Sequence, residues 1–215
     1  MTRAVALIDY GSGNLRSAEK ALQRAAAGLA RPPTIVTTDD PDVIAWADAV
    51  VLPGVGAFSA CRRALDARPG VVEAIETAAR GRGAPFLGIC VGMQLMATRG
   101  LEFGETPGLG WIAGDVARLR PEGARNKVPH VGWNTVGYAD GHPLFAGLPT
   151  GVDMYFTHSF AFTPADPSDV AARTDHGGPV VAAVTRGALA GVQFHPEKSQ
   201  AAGLALLANF LEWRP

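Results

Sequence analysis

The chain has 215 residues, 47% of them hydrophobic, enough to bury a sizeable core within one domain spanning 1–215. Nineteen basic residues against twenty acidic ones leave a formal net charge of −1 and no Lys/Arg stripe, which argues against nucleic acid or an anionic membrane as main partner. Two cysteines, Cys61 and Cys90, offer neither a disulfide framework nor a CxxC metal pair, so no metal or cofactor is expected; with an N-terminal apolar run too short for a signal peptide or a membrane span, a cytoplasmic protein is the expectation.

Residues 4–9 are apolar without alternation, the pattern of a parallel strand covered on both faces. Tyr10-Gly11-Ser12-Gly13-Asn14 then turns into an amphipathic helix over Leu15–Leu22. Gly11-x-Gly13 is half of a dinucleotide fingerprint. Arg16 occupies the third glycine position, however, and only the weak Asp39-Asp40 pair follows at the acidic position, so nucleotide binding is disfavoured. Thr34–Thr38 is a β-branched strand, and Asp40 suits the N-cap of a helix that has Pro41 at its first position and runs through Val43, Ile44 and Trp46. Ala49–Leu52 forms a third buried strand and ends in the turn Pro53-Gly54-Val55-Gly56, which offers free amides. A helix carrying Phe58 and Cys61 follows, then another over 71–80; Cys61 has no supporting motif and reads as structural.

The next strand runs into Gly88-Ile89-Cys90-Val91-Gly92 and a helix-compatible Met93–Ala97. Strand, sharp turn, helix is the context that holds a nucleophile at the end of a sheet. Glycines two residues either side of Cys90 remove side chains that would clash in so tight a turn, and a helix N-terminus favours the thiolate. The plain alternative is a small buried Cys closing a core strand. Strand and helix alternate from 4 to 97, which predicts a parallel sheet with right-handed crossovers and helices on both faces. Tyr10–Asn14, Pro53–Gly56 and Cys90 then all lie beyond carboxyl ends of strands and should converge on one rim.

After residue 100 the pattern changes. Trp111–Leu119, Pro129–Asn134 and Met154–Phe162 read as strands between Gly/Pro turns, so an antiparallel, hairpin-rich section is expected around 110–162. Val180–Thr185 and Ala188–Phe194 return to the α/β pattern, and a helix through Leu204, Leu207, Phe210 and Leu211 closes the chain. The fold class is α/β: an open, mostly parallel, flavodoxin-like sheet flanked by helices.

The last strand ends in His195-Pro196-Glu197. A thiol nucleophile needs a base, and an imidazole needs a third group to fix its tautomer. In extended backbone, positions 195 and 197 project from one face, so a carboxylate there can orient the ring. Taken alone, an exposed His and Glu at a strand terminus is the commoner outcome; their pairing with the Cys90 elbow points to a Cys-His-Glu triad. Acyl transfer also requires an oxyanion hole, for which the amide of Val91 and the Gly54-Val55 segment are candidates.

Together the Gly88–Gln94 elbow, Pro53-Gly54 and Gly191-Val192-Gln193-Phe194-His195-Pro196-Glu197 resemble the class I, triad-type glutamine amidotransferases over nearly the whole chain. The resemblance implies hydrolysis of the glutamine side-chain amide and delivery of ammonia to a synthase. It also implies that Gln94, Glu102, His158 and Ser159 hold the substrate glutamine. Pro53–Phe58, Lys127–Asn134, Tyr155–Phe160 and His195–Ser199 resemble the branch of that family serving histidine biosynthesis. That branch works with a (β/α)8-barrel cyclase, with Asn14, Trp133 and Lys198 at the interface, and in it the oxyanion amide near Gly54-Val55 points away until the cyclase binds its ligand. The alternatives left open are a glutaminase of another synthase, such as the pyridoxal phosphate or anthranilate enzyme, a stand-alone Cys-elbow hydrolase, and a non-catalytic module that kept the fold.

Overall fold

The computed structural model describes residues 3–123, 127–138 and 141–215. The first half alternates as the sequence predicts: β1 (Ala4–Ile8), α1 (Leu15–Ala27), β2 (Thr34–Thr38), α2 (Pro41–Ala45), β3 (Ala49–Gly54), α3 (Phe58–Asp66), α4 (Val71–Glu76), β4 (Phe86–Cys90) and α5 (Val91–Gln94). Asp40 caps α2, its carboxylate accepting from the Asp42 amide at 2.9 Å, with Pro41 in the first turn. Two differences are local. The helix expected over 71–80 is α-helical only to Glu76 and continues as a π turn over Thr77–Gly81. The helix after Cys90 is a single turn, because Leu95, Met96 and Ala97 fold back to hydrogen bond with the 109–112 segment.

The second half adds the short β5 (Arg99–Gly100) and β6 (Thr106–Pro107), then β7 (Gly114–Arg118), β8 (His130–Tyr138), β9 (Val152–His158), β10 (Phe160–Pro164), β11 (Val170–Asp175), β12 (Pro179–Arg186), β13 (Leu189–Val192) and the closing α6 (Gln200–Glu212). Within the expected hairpin-rich stretch, β8 and β9 do form an antiparallel pair; positions 124–126 and 139–140 of that stretch lie outside the described residues. The single strand expected over Met154–Phe162 is two. Ser159 breaks it, so that β9 stays in the main sheet while β10 crosses to pair with β7 in a second, four-stranded sheet.

The main sheet has the order β2-β1-β3-β4-β13-β12-β11-β8-β9. Neighbours from β2 to β13 are parallel and those from β13 to β9 antiparallel. β3, β4 and β13 are buried along their whole length, which is why their sequences are continuous apolar runs. Helices pack in two groups, α1 with α6, and α2 and α3 with α4. Strand order reverses at β1, the topological switch point where right-handed crossovers change face and leave a crevice beyond the carboxyl ends. Because β1, β3, β4 and β13 run the same way, the segments after Ile8, Gly54, Cys90 and Val192 all emerge at that crevice.

Candidate active site

Cys90 ends β4 and begins α5 with φ 54° and ψ −110°, a left-handed conformation that a non-glycine residue holds only where its surroundings impose it. Those surroundings are the flanking glycines. A Cβ on Gly92 would fall 1.9 Å from the Leu52 carbonyl oxygen, and one on Gly88 2.6 Å from Gly92 backbone atoms. A Cβ on Gly54, which pairs in register with Cys90, would sit 2.7 Å from the Gly92 amide nitrogen. Backbone therefore packs on backbone at the elbow, and Cys90 is lifted to the crevice while only 4% exposed.

His195 and Glu197 are not exposed strand-end residues: their side chains are 1% and 3% accessible, and His195 Nδ1 donates to Glu197 Oε1 at 2.8 Å. The expected extended geometry stops at His195. Pro196–Lys198 is a 3₁₀ turn with Pro196 leading it, and this turn rather than strand alternation brings the carboxylate under the ring. Because a carboxylate only accepts, the Nδ1–H bond leaves Nε2 as the basic nitrogen. Nε2 is buried without a hydrogen-bond partner among the described residues. Burial by itself pulls the imidazole towards its neutral form, but the neighbouring Cys90 sulfur and the Glu197 carboxylate outweigh it and hold His195 up at about 9. The arrangement is built to keep a proton on His195 beside the Cys90 sulfur.

The Pro53–Gly56 segment lies against this pair. Gly54, Val55, His195 and Glu197 line one small crevice together with Asn14. Side chains of the turn after β1 grip the segment at alternate carbonyls: the Tyr10 hydroxyl donates to Pro53 O at 2.7 Å, and the Ser12 hydroxyl to Val55 O at 3.1 Å. Cys61, expected to be structural, is buried in α3, and its thiol reaches the same Val55 carbonyl at 3.3 Å. The Gly54–Val55 peptide thus sits between two anchored carbonyls.

A cavity of about 450 Å³ opens in front of Cys90. Its walls include all four residues expected to hold glutamine, Gln94, Glu102, His158 and Ser159, together with Val55, Val91 and His195. Glu102 also has a local role, its Oε2 accepting from the Phe58 amide at 2.8 Å where α3 begins. Gln94, one helical turn past Cys90, is 4% exposed and donates from Nε2 to Phe160 O at 2.9 Å and to Gln193 Oε1 at 3.0 Å. Of the residues expected at a partner interface, Asn14 and Lys198 stand in the cavity wall. Trp133 lies outside it, 48% exposed beside Val131 at 56%, with its ring edge-on to Tyr155 and the Lys198 ammonium on the same Tyr155 ring. Among the described residues no cluster of His, Cys, Asp and Glu could hold a metal ion, and no helix is long and apolar enough to cross a membrane.

Two features escaped the sequence reading. Gln193 is fully buried and donates from Nε2 to Cys90 Sγ at 3.6 Å; the available signal was a lone polar residue inside an apolar run. The second is a buried imidazole pair, His130 Nδ1 to His158 Nε2 at 3.0 Å, with His158 Nδ1 on Phe160 O at 2.9 Å. Burial holds both rings in their neutral form, His158 down to about 4 and His130, further opposed by His158 and His176, down to about 3. Register makes the pair, His130 standing directly opposite His158 across β8 and β9.

Known proteins are similar to this chain over almost its whole length. The family model for glutamine amidotransferase class-I matches residues 6–213. The chain is 62% identical over 213 residues to imidazole glycerol phosphate synthase subunit HisH of Caulobacter vibrioides, covering 99% of this chain and all of that one. It is 56% identical to the subunit of the same name from Rhodospirillum rubrum, covering 98% and 99%. Among solved structures, PurLQS from Thermotoga maritima shares the fold with a TM-score of 0.70 at 22% identity, covering 98% of each chain.

Proposed function

The chain belongs to the class I glutamine amidotransferases, and from that premise we propose that it is the glutaminase subunit of an imidazole glycerol phosphate synthase. It hydrolyses L-glutamine to glutamate and ammonia and passes the ammonia to a cyclase subunit with a (β/α)8-barrel fold, which makes imidazole glycerol phosphate and AICAR in histidine biosynthesis. Identity of 53–62% to relatives of that name over nearly full length favours this synthase over the pyridoxal phosphate or anthranilate enzymes. The same reading places the protein in the cytoplasm.

In the proposed reaction the Cys90 thiolate attacks the side-chain amide carbon of glutamine. The tetrahedral oxyanion is met by the amides of Val91 and of the Gly54-Val55 segment; one such donor is typically worth about 3–4 kcal/mol. His195 gives its Nε2 proton to the departing nitrogen, ammonia leaves, and a thioester remains. Neutral His195 then takes a proton from water, whose oxygen displaces Cys90 and frees glutamate. Glu197 keeps the ring in the tautomer both steps need. Gln94, Glu102, His158 and Ser159 hold the amino acid. Asn14, Trp133 and Lys198 face the cyclase, sealing ammonia from bulk water, where it would be protonated.

One observation carries the reading: a single cavity is walled at once by the thiol, the base, both oxyanion segments and the four glutamine-holding residues. The test is glutamate release by the full chain, with and without a barrel cyclase, for wild type and Cys90→Ser. Wild type should turn over slowly alone and faster in the complex, and Cys90→Ser should be inactive in both. Undiminished activity in Cys90→Ser would overturn the mechanism, and equal rates with and without cyclase would remove the proposed gating.

A further inference from the structure

We propose that Gln193 is a catalytic residue, its side-chain amide donating a hydrogen bond to the Cys90 sulfur and sharing with His195 the stabilisation of the thiolate. The inference rests on Cys90 being the nucleophile of the reaction proposed above.

The contact is 3.6 Å from Nε2 to Sγ, between a residue with no exposed surface and one that is 4% exposed. Its direction is fixed by the neighbours, since an amide's oxygen and nitrogen are told apart by the partners they meet. Phe160 O can only accept, so Gln94 must turn its NH2 group towards it, at 2.9 Å. The same Gln94 nitrogen lies 3.0 Å from Gln193, which must therefore present its oxygen there and its NH2 to sulfur. Turned over, Gln193 would set two NH2 groups face to face and aim a carbonyl oxygen at a thiolate.

The network behind Gln94 runs in the same sense. Asn134 Nδ2 donates to the Asp175 carbonyl at 2.7 Å and, at 3.1 Å, to His130 Nε2. With Nε2 accepting, neutral His130 donates from Nδ1 to His158, and neutral His158 donates from Nδ1 to Phe160 O. Every hydrogen from Asn134 to Phe160 is thereby assigned, and the carbonyl orienting Gln94 is anchored by two donors.

Such an amide suits a thiolate in this place. It brings donor polarity without a second ionisable group, and in a dry site a preorganised dipole acts more strongly than in water. Titratable groups stand on every side of Cys90: His195 with Glu197 behind it, Tyr10 and Cys61 by the Pro53–Gly56 segment, and Glu102, His158 and Lys198 in the cavity wall. Burial keeps the Tyr10 hydroxyl and the Cys61 thiol uncharged, and Gln193 is the neutral donor on the sulfur itself.

The test measures the rate at which iodoacetamide alkylates Cys90 across pH, read for the Cys90 peptide by mass spectrometry, in full-length wild type, Gln193→Met and Gln193→Glu. Removing the donor should raise the pH of half-maximal alkylation by about one unit in Gln193→Met, and further in Gln193→Glu, where a carboxylate faces the sulfur. Glutaminase kcat at pH 7 should fall about tenfold with KM for glutamine held within about twofold. A folded Gln193→Met whose alkylation midpoint stays within about a quarter unit of wild type overturns the proposal, whatever its melting temperature. If Gln193→Met fails to fold, Gln193→Glu decides by the same criterion, because it keeps the oxygen that Gln94 bonds. Alkylation requires neither glutamine nor cyclase, so a shifted midpoint in a protein that does not hydrolyse glutamine would support the Gln193 contact while defeating the proposed function.

Discussion

Replacing Glu197 with Gln keeps the side chain's shape and its reach to His195 while removing its charge. In the wild type the two side chains are buried in contact at 2.8 Å. Burial opposes a charge on His195, and the Cys90 and Glu197 contacts overcome it to hold the group at about 9, against 6.5 for an ordinary imidazole. At pH 7 that displacement corresponds to roughly 2.5 kcal/mol of preference for the imidazolium in the folded chain. Cys90 supplies part of it, so Glu197→Gln should forfeit about 1–2 kcal/mol, equivalent to about a tenfold smaller protonation constant for His195. A Gln that turns its NH2 to Nδ1 would also favour the wrong tautomer and deepen the loss.

The assay is glutamate release in the presence of the cyclase, with thermal melts of the free chain across pH. Glu197→Gln should lower kcat at least about tenfold with KM within about twofold. The stability effect has a definite sign. Because the folded value of His195 lies above the unfolded one, its contribution is complete below pH 6.5 and disappears as pH rises through about 9. Wild type and variant should therefore melt well apart at pH 6 and converge above pH 9. A kcat within twofold of wild type, or a melting gap unchanged between those two conditions, would refute the account of His195.

Three further outcomes follow from the same geometry. Gly92→Ala would place a methyl 1.9 Å from the Leu52 carbonyl oxygen. Leu52 is fixed in β3 and α5 follows directly from the neighbouring β4, so neither can retreat without disturbing the sheet, and the variant should lose about 4 kcal/mol, seen as a melting temperature about 10 °C lower. Glu102→Ala strips the acceptor from the Phe58 amide; it should cost about 1 kcal/mol in urea unfolding and raise KM for glutamine with little change in kcat. His158, held down to about 4, should be only about one-tenth imidazolium in ring NMR spectra at pH 5. Since its folded value lies below the unfolded one, its contribution to stability is present above pH 6.5 and is lost as pH falls towards 4; at pH 5 the loss amounts to roughly 2 kcal/mol.

The central parallel strands were legible because they are buried on both faces. Ala49–Leu52 and Phe86–Ile89 carry no alternation, and a continuous apolar run between helices has few other ways to be satisfied. The antiparallel half was read less well for a physical reason. From Met154 to Phe162 the residues keep the same strand-like character, and nothing local marks Ser159 as the place where the chain leaves one sheet for another. Pairing partners decide that point, β8 on one side of the break and β7 on the other. Likewise, β-propensity did not limit β8 to Asn134, because its strand continues for as long as β9 offers it a partner.

Cys90, His195 and Glu197 were legible because each needs a particular residue type at a chain position that a strand end or turn presents. Their inaccessibility was not, because burial of a strand end depends on what packs over it. The groups that orient them lay deeper still. The Tyr10 and Ser12 hydroxyls reach Pro53 and Val55 across 43 residues of sequence, and Gln94 meets Gln193 across 99. No spacing within a single segment encodes such contacts. The break at Ser159 that propensity could not see is also what gives the site its orientation. It leaves His158 at the end of β9, opposite His130, and starts β10 with Phe160, whose carbonyl collects His158 and Gln94. The step between sheets thus fixes the amide that fixes Gln193, so moving the break by one residue would reverse which faces 158 and 160 present and separate the Cys90 sulfur from its orienting network.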